Sequence, residues 1–334
     1  KVVVESLFFL FFGCFGACMG INVGILIDPI EDISVHKDTS LALMIAPQER
    51  GCEFFYMEQQ DLSIQSGIAY GRMAKTTVAM DQDNWFTQEE AIDCPLSDLQ
   101  LILMRKDPPF DSEFIYSTYI LERAEKEGVL IANNPQSLRD CNEKVFATEF
   151  PHLMSPTTVT RRPDLLKAFH AEHGDVIFKP LDGMGGSSIF RLKKDDPNVS
   201  VIIETLTNHG LQQIMAQRFI PEITSGDKRI LIIDGEAVPF TLARIPADGE
   251  TRGNLAAGGS GVTMALTDKE RAISEEIGPK LKAKGLYFVG LDVIGDYVTE
   301  INVTSPTCVR EISRDSGIDI ADQLIECLLQ KVRC

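Results

Sequence analysis

From Met19 onward, short apolar runs alternate with longer amphipathic ones, a pattern typical of helices that cover a largely parallel sheet. The pattern predicts strands at 22–28, 52–58, 101–104 and 129–132, and helices from about Asp38 and at 112–127. Pro47 should kink or shorten the first helix. The polar stretch 59–100 should hold a hairpin or an irregular insert. These elements predict a doubly wound α/β domain over residues 19–138.

The pattern changes after residue 138, because hairpins replace the alternating units. Strands are predicted at 176–180, 189–192, 214–220, 228–234 and 237–244. Thr267 and Glu270 have the spacing of a capping box and open a predicted helix, and a last helix is expected at 319–331. Residues 139–334 therefore form a second predicted domain of different architecture.

Composition narrows the class of protein. The chain has 334 residues, 44% of them hydrophobic, with 32 Lys+Arg against 49 Asp+Glu and a formal net charge of -17. Such acidity repels polyanions and argues against a nucleic-acid partner. The eight cysteines form no CxxC pair, so we expect free thiols, no zinc site and a cytoplasmic location.

Residues 1–18 do not fit the alternating pattern. Leu7 to Ala17 is an apolar, Phe-rich run of signal-peptide length that precedes Cys18 and is too short to span a bilayer. Met19 followed by a predicted buried strand resembles a natural start. We expect residues 1–18 to be a leader or a non-native extension, with a secreted lipoprotein as the alternative, and we expect no membrane partner.

The segment 288–303 carries the most informative chemistry. In a strand, residues two apart share a face, so Glu300 and Asn302 point the same way. A three-residue loop at 295–297 would place Asp292 opposite Glu300. Two carboxylates and a carboxamide then form an all-oxygen set suited to magnesium shared with phosphates. The alternative is the exposed polar face of an edge hairpin.

Lys179 ends a predicted strand and precedes a glycine-rich turn that contains Gly183, Gly185 and Gly186. Backbone N–H groups of such a turn can approach phosphate oxygens closely. The turn is neither a Walker A loop nor a dinucleotide fingerprint, and it could be a simple hairpin. Lys144 is predicted on a helix, where plain solvation is the alternative.

Arg229, Arg244 and Arg310 supply fixed positive charge suited to binding carboxylates or phosphates. Arg252 lies in a loop of small residues, which could close over a site or be a mobile surface loop. No Ser-His-Asp or Cys-His arrangement stands out. Cationic side chains, carboxylate and amide oxygens, and glycine-rich loops together favour nucleotide-driven phosphoryl transfer.

Several segments carry a family likeness that covers the chain from Ile21 onward: 104–111, 133–144, 179–186, 243–246, 250–259 and 299–310. By these segments the sequence closely resembles bacterial glutathione synthetase of the ATP-grasp superfamily. The resemblance implies a pre-ATP-grasp α/β domain followed by an ATP-grasp fold of two α+β subdomains, with a lid loop at about 246–262.

The resemblance also implies residue roles. ATP as co-substrate would meet Lys144, Lys179, Gly183, Gly185, Gly186, Gln217, Arg218, Phe219, Ile220 and Asp227, with Asp227 near the ribose. Mg²⁺ (or Mn²⁺) would be held by Asp292, Glu300 and Asn302. Arg229, Arg244 and Arg252 would serve catalysis, and Arg105, Arg244 and Arg310 would bind substrate carboxylates.

The implied reaction joins gamma-glutamylcysteine to glycine through an acyl phosphate and releases ADP and phosphate. The alternatives are a D-alanine:D-alanine ligase-like enzyme and a non-catalytic ATP-binding protein. Ser260 stands where the family often has a basic residue, and Pro47 interrupts a helix that the family usually keeps continuous. The family suggests a homo-oligomer, either a dimer or a tetramer.

Overall fold

The computed structural model describes residues 20–255 and 258–332. The predictions for residues 1–18 therefore lie outside the described residues. Within the described ranges, three β-sheets are flanked by eight α-helices.

The first sheet has its strands in the order β3-β4-β2-β1-β7-β8, and two short strands, β5 and β6, pair with β4. Its strands are β1 Asn22–Leu26, β2 Glu53–Met57, β3 Leu62–Gln65, β4 Ile68–Val78, β5 Phe86–Gln88, β6 Ile92–Pro95, β7 Leu101–Met104 and β8 Leu130–Ala132. Its helices are α1 Thr39–Glu49, α2 Ser112–Lys126 and α3 Pro135–Asp140. The central strands β2, β1, β7 and β8 are parallel, as the alternating pattern predicted. The polar stretch 59–100 supplies the antiparallel edge.

The two remaining sheets are antiparallel. The second sheet, β11-β10-β12-β9, consists of β9 Thr157–Thr160, β10 Val176–Pro180, β11 Phe190–Leu192 and β12 Ile214–Arg218, with helices α4 Pro163–His173 and α5 Val199–Leu206. The third sheet, β15-β14-β13-β16-β17, consists of β13 Asp227–Ile233, β14 Glu236–Ile245, β15 Ser260–Ala265, β16 Phe288–Ile294 and β17 Tyr297–Asn302, with helices α6 Asp268–Ala283, α7 Val309–Ser316 and α8 Ile320–Val332.

The packing of the second sheet determines which side chains face the third. Phe178 of β10 packs with Leu166 and Ile203 in a core that this sheet shares with its own helices. Because side chains alternate along a strand, Ile177 and Lys179 point to the opposite face. That face lines a cleft against the third sheet.

Pro47 does not shorten α1. The helix begins after Asp38, whose Oδ1 accepts a hydrogen bond from Ser40 N at 2.6 Å, and it continues through Pro47 to Glu49. Pro47 cannot donate to the carbonyl four residues before it, so α1 lacks one hydrogen bond there, and the helix runs only two residues beyond the proline. Of the predicted kink or shortening, an end of the helix at Pro47 is not observed, and the kink stays a prediction. The predicted capping box of α6 is confirmed, since Thr267 and Glu270 exchange both bonds.

No helix within residues 20–255 and 258–332 is long and apolar enough to cross a membrane. Cys94, Cys141, Cys308 and Cys327 are thiols without disulfide bonds.

Gly278 provides a test of how α6 packs on the β13–β14 hairpin. A Cβ at this position would overlap the carbonyl oxygen of Gly235 in the hairpin loop. Gly278→Ala should therefore lower the free energy of unfolding by about 2 kcal/mol, as overpacking does, although alanine is favoured over glycine by ~1 kcal/mol in an open helix. Urea unfolding followed by circular dichroism measures the change. The exposed Glu275→Ala in the same helix is the control, and equal stability of the two variants would contradict the packing.

Candidate active site

The β16–β17 hairpin places two carboxylates opposite each other. Asp292 pairs with Glu300 in the strand register, as predicted, although the predicted three-residue loop is wrong. The loop has two residues, because Ile294 pairs with Tyr297, and a bulge at Thr299 supplies the missing residue of offset. The register was therefore predicted correctly from an incorrect loop.

Asp292 is buried and bound by two arginines. Its Oδ1 accepts from Arg229 Nε at 2.5 Å and its Oδ2 from Arg229 Nη2 at 2.9 Å, with Arg244 Nη2 3.0 Å from the same Oδ2. Arg229 is the cross-strand partner of Asp292, and Gly290 leaves room for its side chain. Burial opposes ionisation, but the two guanidinium groups outweigh it and hold the pKa of Asp292 well below its usual range.

Asp227 shares Arg244 with Asp292. Its Oδ2 accepts from Arg244 Nη2 at 2.5 Å, whereas its Oδ1 is buried without a hydrogen-bond partner among the described residues. Burial, with a further contribution from the charge on Asp292, raises the pKa of Asp227 to about 6, and Arg244 opposes the rise. An unpartnered buried oxygen that lines a cleft is a natural acceptor for a ligand hydroxyl.

Glu300 holds the two lysines. Its Oε1 lies 3.0 Å from Lys179 Nζ and 3.7 Å from Lys144 Nζ, and both lysine side chains are buried. Burial raises the pKa of Glu300, but the two ammonium groups outweigh it and lower the pKa overall. Lys144 lies in a turn between α3 and a short 3-10 helix, not on a helix, and donates to Gly183 O at 2.7 Å. The helix prediction and the solvation alternative are both wrong for Lys144.

The glycine-rich turn at 183–186 contacts Arg252 and Asn254 of the predicted lid loop. Arg252 Nη1 donates to Gly186 O at 3.3 Å, and Arg252 Nη2 binds Glu250 Oε2 at 2.6 Å. A Cβ on Gly186 would come within 2.8 Å of Asn254 Oδ1. The close approach and the φ of +81° together favour glycine here. Ser260 is not in the loop but begins β15, where it pairs with Ile245.

One cavity between the second and third sheets collects most of the predicted residues. It is lined by Lys144, Lys179, Gly183, Gly185, Gly186, Gln217, Arg218, Phe219, Ile220, Asp227, Arg229, Arg252, Asp292, Glu300 and Asn302. Arg244 stands behind this lining and contacts it through Asp227 and Asp292.

Two predicted arginines lie elsewhere. Arg105 is buried at the end of β7 and lines a neighbouring cavity; burial lowers its pKa to about 10, and Asp107 and Asp38 oppose that fall. Arg310 donates from Nη1 to Val35 O at 2.6 Å and lines a surface groove beside α1. Neither lines the main cavity, so their substrate roles stay predictions.

Sequence reasoning missed the apolar wall of the main cavity. Ile177 precedes Lys179 by two residues, and Ile294 follows Asp292 by two, so the period of a strand already places each on the same face. Both line the cavity together with Phe219, over which Arg191 stacks at 3.5 Å. Asn254, which contacts the glycine-rich turn, was also missed; the sequence indicated it only by its position in a loop of small residues.

The donor set fits a divalent cation. No group of three or more His, Cys, Asp or Glu side chains in the described ranges is arranged to hold a metal ion. Asp292, Glu300 and Asn302 line the same cavity and supply two carboxylates and one amide oxygen, a type of donor that suits a cation sharing its coordination with phosphate and water. Asn302 Nδ2 donates to Gly290 O at 3.2 Å, so its amide oxygen is not used in that bond.

Comparison with known proteins decides the family. The sequence matches the model of the prokaryotic glutathione synthetase N-terminal domain over residues 21–139 and that of the ATP-grasp domain of the same family over residues 143–317. The chain belongs to the prokaryotic glutathione synthetase family. The predicted family, and with it the predicted class of ATP-dependent ligase, is confirmed.

Relatives in this family match over nearly their whole length. Glutathione synthetase of Pseudomonas aeruginosa is 61% identical over 93% of this chain and 98% of its own, and that of Vibrio cholerae is 56% identical over 94% and 98%. The solved structures of D-cycloserine synthetase DcsG (TM-score 0.66, 14% identity, 93% of this chain and 99% of that one) and of the ATP-grasp ligase PsnB (TM-score 0.59, 17% identity, 93% and 98%) share the fold. The predicted ATP-grasp architecture is therefore confirmed. ATP and a divalent metal are general requirements of this family.

The contact between Gly186 and Asn254 predicts how the loop of this family member closes. Gly186→Ala should push the loop away, so that trypsin cleaves after Arg252 about tenfold faster, as expected for ~1.4 kcal/mol lost from the closed state. The fragment is quantified by mass spectrometry. Gly51→Ala is the matched control, because Gly51 has nearly the same φ (+79° against +81°) and nothing within 4 Å of its Cβ position. Equal cleavage in both variants would contradict the contact.

Proposed function

We propose that the main cavity binds ATP and activates the cysteinyl carboxylate of gamma-glutamylcysteine for attack by glycine. Membership of the glutathione synthetase family makes ATP-dependent synthesis of glutathione the activity of the chain. The observation that supports the residue roles is the meeting of two buried lysines, two carboxylates and a glycine turn in one cavity.

The adenine is assigned to the apolar part of the cavity. Ile177, Phe219 and Ile294 offer flat or branched apolar surface there, and the main chain of 217–220 comprises the last two residues of β12 and the two that follow it. Aromatic and aliphatic side chains bury a planar base well, while main-chain groups supply its polar contacts. The unpartnered Asp227 Oδ1 is then available to a ribose hydroxyl.

The triphosphate is assigned to Lys144, Lys179 and the backbone of 183–186. In the structure both lysines lie beside the single carboxylate of Glu300, which offsets one of their two positive charges. A phosphate chain can take over these lysines if Glu300 gains another cation, and Asp292, Glu300 and Asn302 would then hold Mg²⁺ (or Mn²⁺). When bound, such a cation neutralises charge on the phosphates and orients them.

The reaction needs no nucleophile from the protein. A carboxylate oxygen of the cysteinyl residue attacks the γ-phosphorus and ADP leaves; the amine of glycine then attacks the acyl carbon, loses a proton, and phosphate leaves. Arg229 and Arg244 supply fixed positive charge beside the transferred group, and Arg252 adds charge from the loop. Closure of this loop excludes water from the acyl phosphate. Arg105 and Arg310 remain proposed contacts for substrate carboxylates.

Three broader expectations belong to this proposal. The first domain ends at residue 138, the protein is a homo-oligomer, either a dimer or a tetramer, and it acts in the cytoplasm. Its small-molecule partners are ATP, gamma-glutamylcysteine and glycine.

Phosphate release from ATP tests the function directly. With Mg²⁺, we expect release only when both gamma-glutamylcysteine and glycine are present, and a repeat with Mn²⁺ compares the two metals. Release with D-alanine alone would move the chain to a D-alanine ligase activity. ATP binding without release in every mixture would indicate a non-catalytic protein.

Lys179→Ala tests the phosphate site. Loss of a buried cation that faces developing charge should lower kcat/KM for ATP by about 100-fold, with unchanged circular dichroism. The exposed Lys167→Ala is the control for the loss of one positive charge. Near-normal turnover of the Lys179 variant would contradict the assignment.

Glu300→Gln separates metal binding from nucleotide binding. Loss of one carboxylate ligand should raise the Mg²⁺ concentration for half-maximal rate by at least about tenfold. Metal-free ATP should bind no more weakly by calorimetry, because the two lysines lose their internal partner. The exposed Glu204→Gln is the control. A weaker metal-free complex with unaltered Mg²⁺ dependence would exclude a ligand role.

A further inference from the structure

The strand β17 carries Glu300 and Asn302, and it is an edge strand of the third sheet. An edge strand has one row of main-chain N–H groups that no neighbouring strand can bind. At the end of β17 this row includes the N–H groups of Ile301 and Val303, which flank Asn302 and are buried. Because unpaired buried N–H groups are costly, they need partners outside the sheet.

One residue, Glu143, supplies these partners. Its main-chain O accepts from Ile301 N at 2.9 Å, and its side-chain Oε1 accepts from Val303 N at 2.8 Å. The same Oε1 accepts from Thr304 N at 3.0 Å and from Thr304 Oγ1 at 2.8 Å. Glu143 therefore replaces a neighbouring strand at the end of β17, and its bonds lie on both sides of Asn302.

The turn that contains Glu143 is itself fixed. Asn142 Oδ1 accepts from Lys144 N at 3.2 Å and from Val145 N at 3.0 Å. Asn142 Nδ2 donates to Leu181 O at 3.2 Å, which ties the turn to the segment that leads into the glycine-rich turn. Glu143 therefore holds the end of β17 from a rigid turn that is also anchored beside the proposed phosphate site.

Glu143 lines the main cavity without belonging to the donor set. No group of three or more His, Cys, Asp or Glu side chains within residues 20–255 and 258–332 is arranged to hold a metal ion, so Glu143 does not join Asp292 and Glu300 as a third carboxylate ligand. Its Oε1 is used by the main chain and the hydroxyl beside Asn302 instead. These contacts favour a role through the position of the strand.

We propose that Glu143 is a positioning residue for the divalent cation, which holds the end of β17 so that Asn302 and Glu300 present their oxygens to the cavity together. This inference rests on the proposed function, in which these two residues bind the cation. Residues that orient metal ligands typically change metal affinity by about 10- to 100-fold when they are lost. Ligand positions must hold to within about 0.5 Å, which an edge strand without outer partners does not ensure.

Two substitutions at Glu143 separate the reach of the side chain from its charge. Glu143→Gln keeps an acceptor oxygen at the same distance from the main chain and loses the charge. Glu143→Asp keeps the charge but is shorter by one methylene group, so its oxygens fall short of Val303 and Thr304. Binding of Mn²⁺ to the full chain with ADP is measured by electron paramagnetic resonance, with ADP alone as the blank. We expect the Kd for Mn²⁺ to rise about tenfold in Glu143→Asp and to stay within about threefold of wild type in Glu143→Gln.

Readouts away from the cation exclude a general loss of packing. The Kd for ADP without metal and the KM for glycine at saturating Mg²⁺ should stay within about twofold in both variants, with unchanged circular dichroism. If Glu143→Asp does not fold, Thr304→Val decides, because it removes only the hydroxyl bond to Oε1. It should raise the Kd for Mn²⁺ about threefold, as expected for partial loss of the hydrogen bonds, and wild-type affinity would overturn the inference.

The crossed pair also defines the results that would contradict the role of Glu143. Weaker Mn²⁺ binding in Glu143→Gln than in Glu143→Asp, or equal loss in both, would show that the charge matters and not the reach. Unchanged affinity in Glu143→Asp, while Glu300→Gln binds Mn²⁺ more weakly, would overturn this inference alone. Unchanged affinity in Glu300→Gln would instead contradict the metal site of the proposed function, and the inference would fall with it.

Discussion

Charge pairing among buried groups is the constraint on which the cleft depends. Arg229 and Arg244 are balanced by Asp292 and Asp227, and Lys144 and Lys179 share the one carboxylate of Glu300. Removal of one partner from such a buried pair leaves an uncompensated charge that costs about 3–5 kcal/mol. The same pairing keeps Asp292 and Glu300 ionised in spite of their burial. The site is therefore organised before a ligand enters it.

These pairs also determine how a ligand can bind. Glu300 belongs to β17 of the third sheet and Lys179 to β10 of the second, so their contact spans the cleft. A nucleotide that arrives alone would separate two opposite charges and leave Glu300 unpaired. In the proposed binding mode, a nucleotide that arrives with a divalent cation would give the lysines its phosphates and Glu300 the cation as new partners, so none of these buried charges would lose its counter-charge. Under the proposed assignment, this coupling accounts for the lysines and the carboxylates facing each other across the cleft.

The sequence was most informative where chemistry follows the local period of an element. The shared face of Glu300 and Asn302, the capping box of α6 and the parallel first sheet all follow from spacing alone. Loop length and strand register were harder to predict from the sequence. The pairing of Asp292 with Glu300 was predicted correctly only because a bulge compensates for the wrong loop length. Lys144 could not be placed from a helix-like local pattern, because a long-range bond to Gly183 holds its turn. The burial of Arg105 without an ion pair among the described residues is likewise a tertiary property.

The overall charge of the chain gives these short-range contacts their importance. A net charge of -17 repels ATP, and gamma-glutamylcysteine also carries net negative charge. At physiological salt such repulsion is screened beyond about 8 Å, so attraction has to come from cations that a ligand meets inside the cleft. Burial strengthens each of those contacts by excluding water. An anion bound loosely to the acidic surface gains little binding free energy. The charge distribution therefore favours ligands that fit the main cavity and the cavity at Arg105, where the internal cations lie.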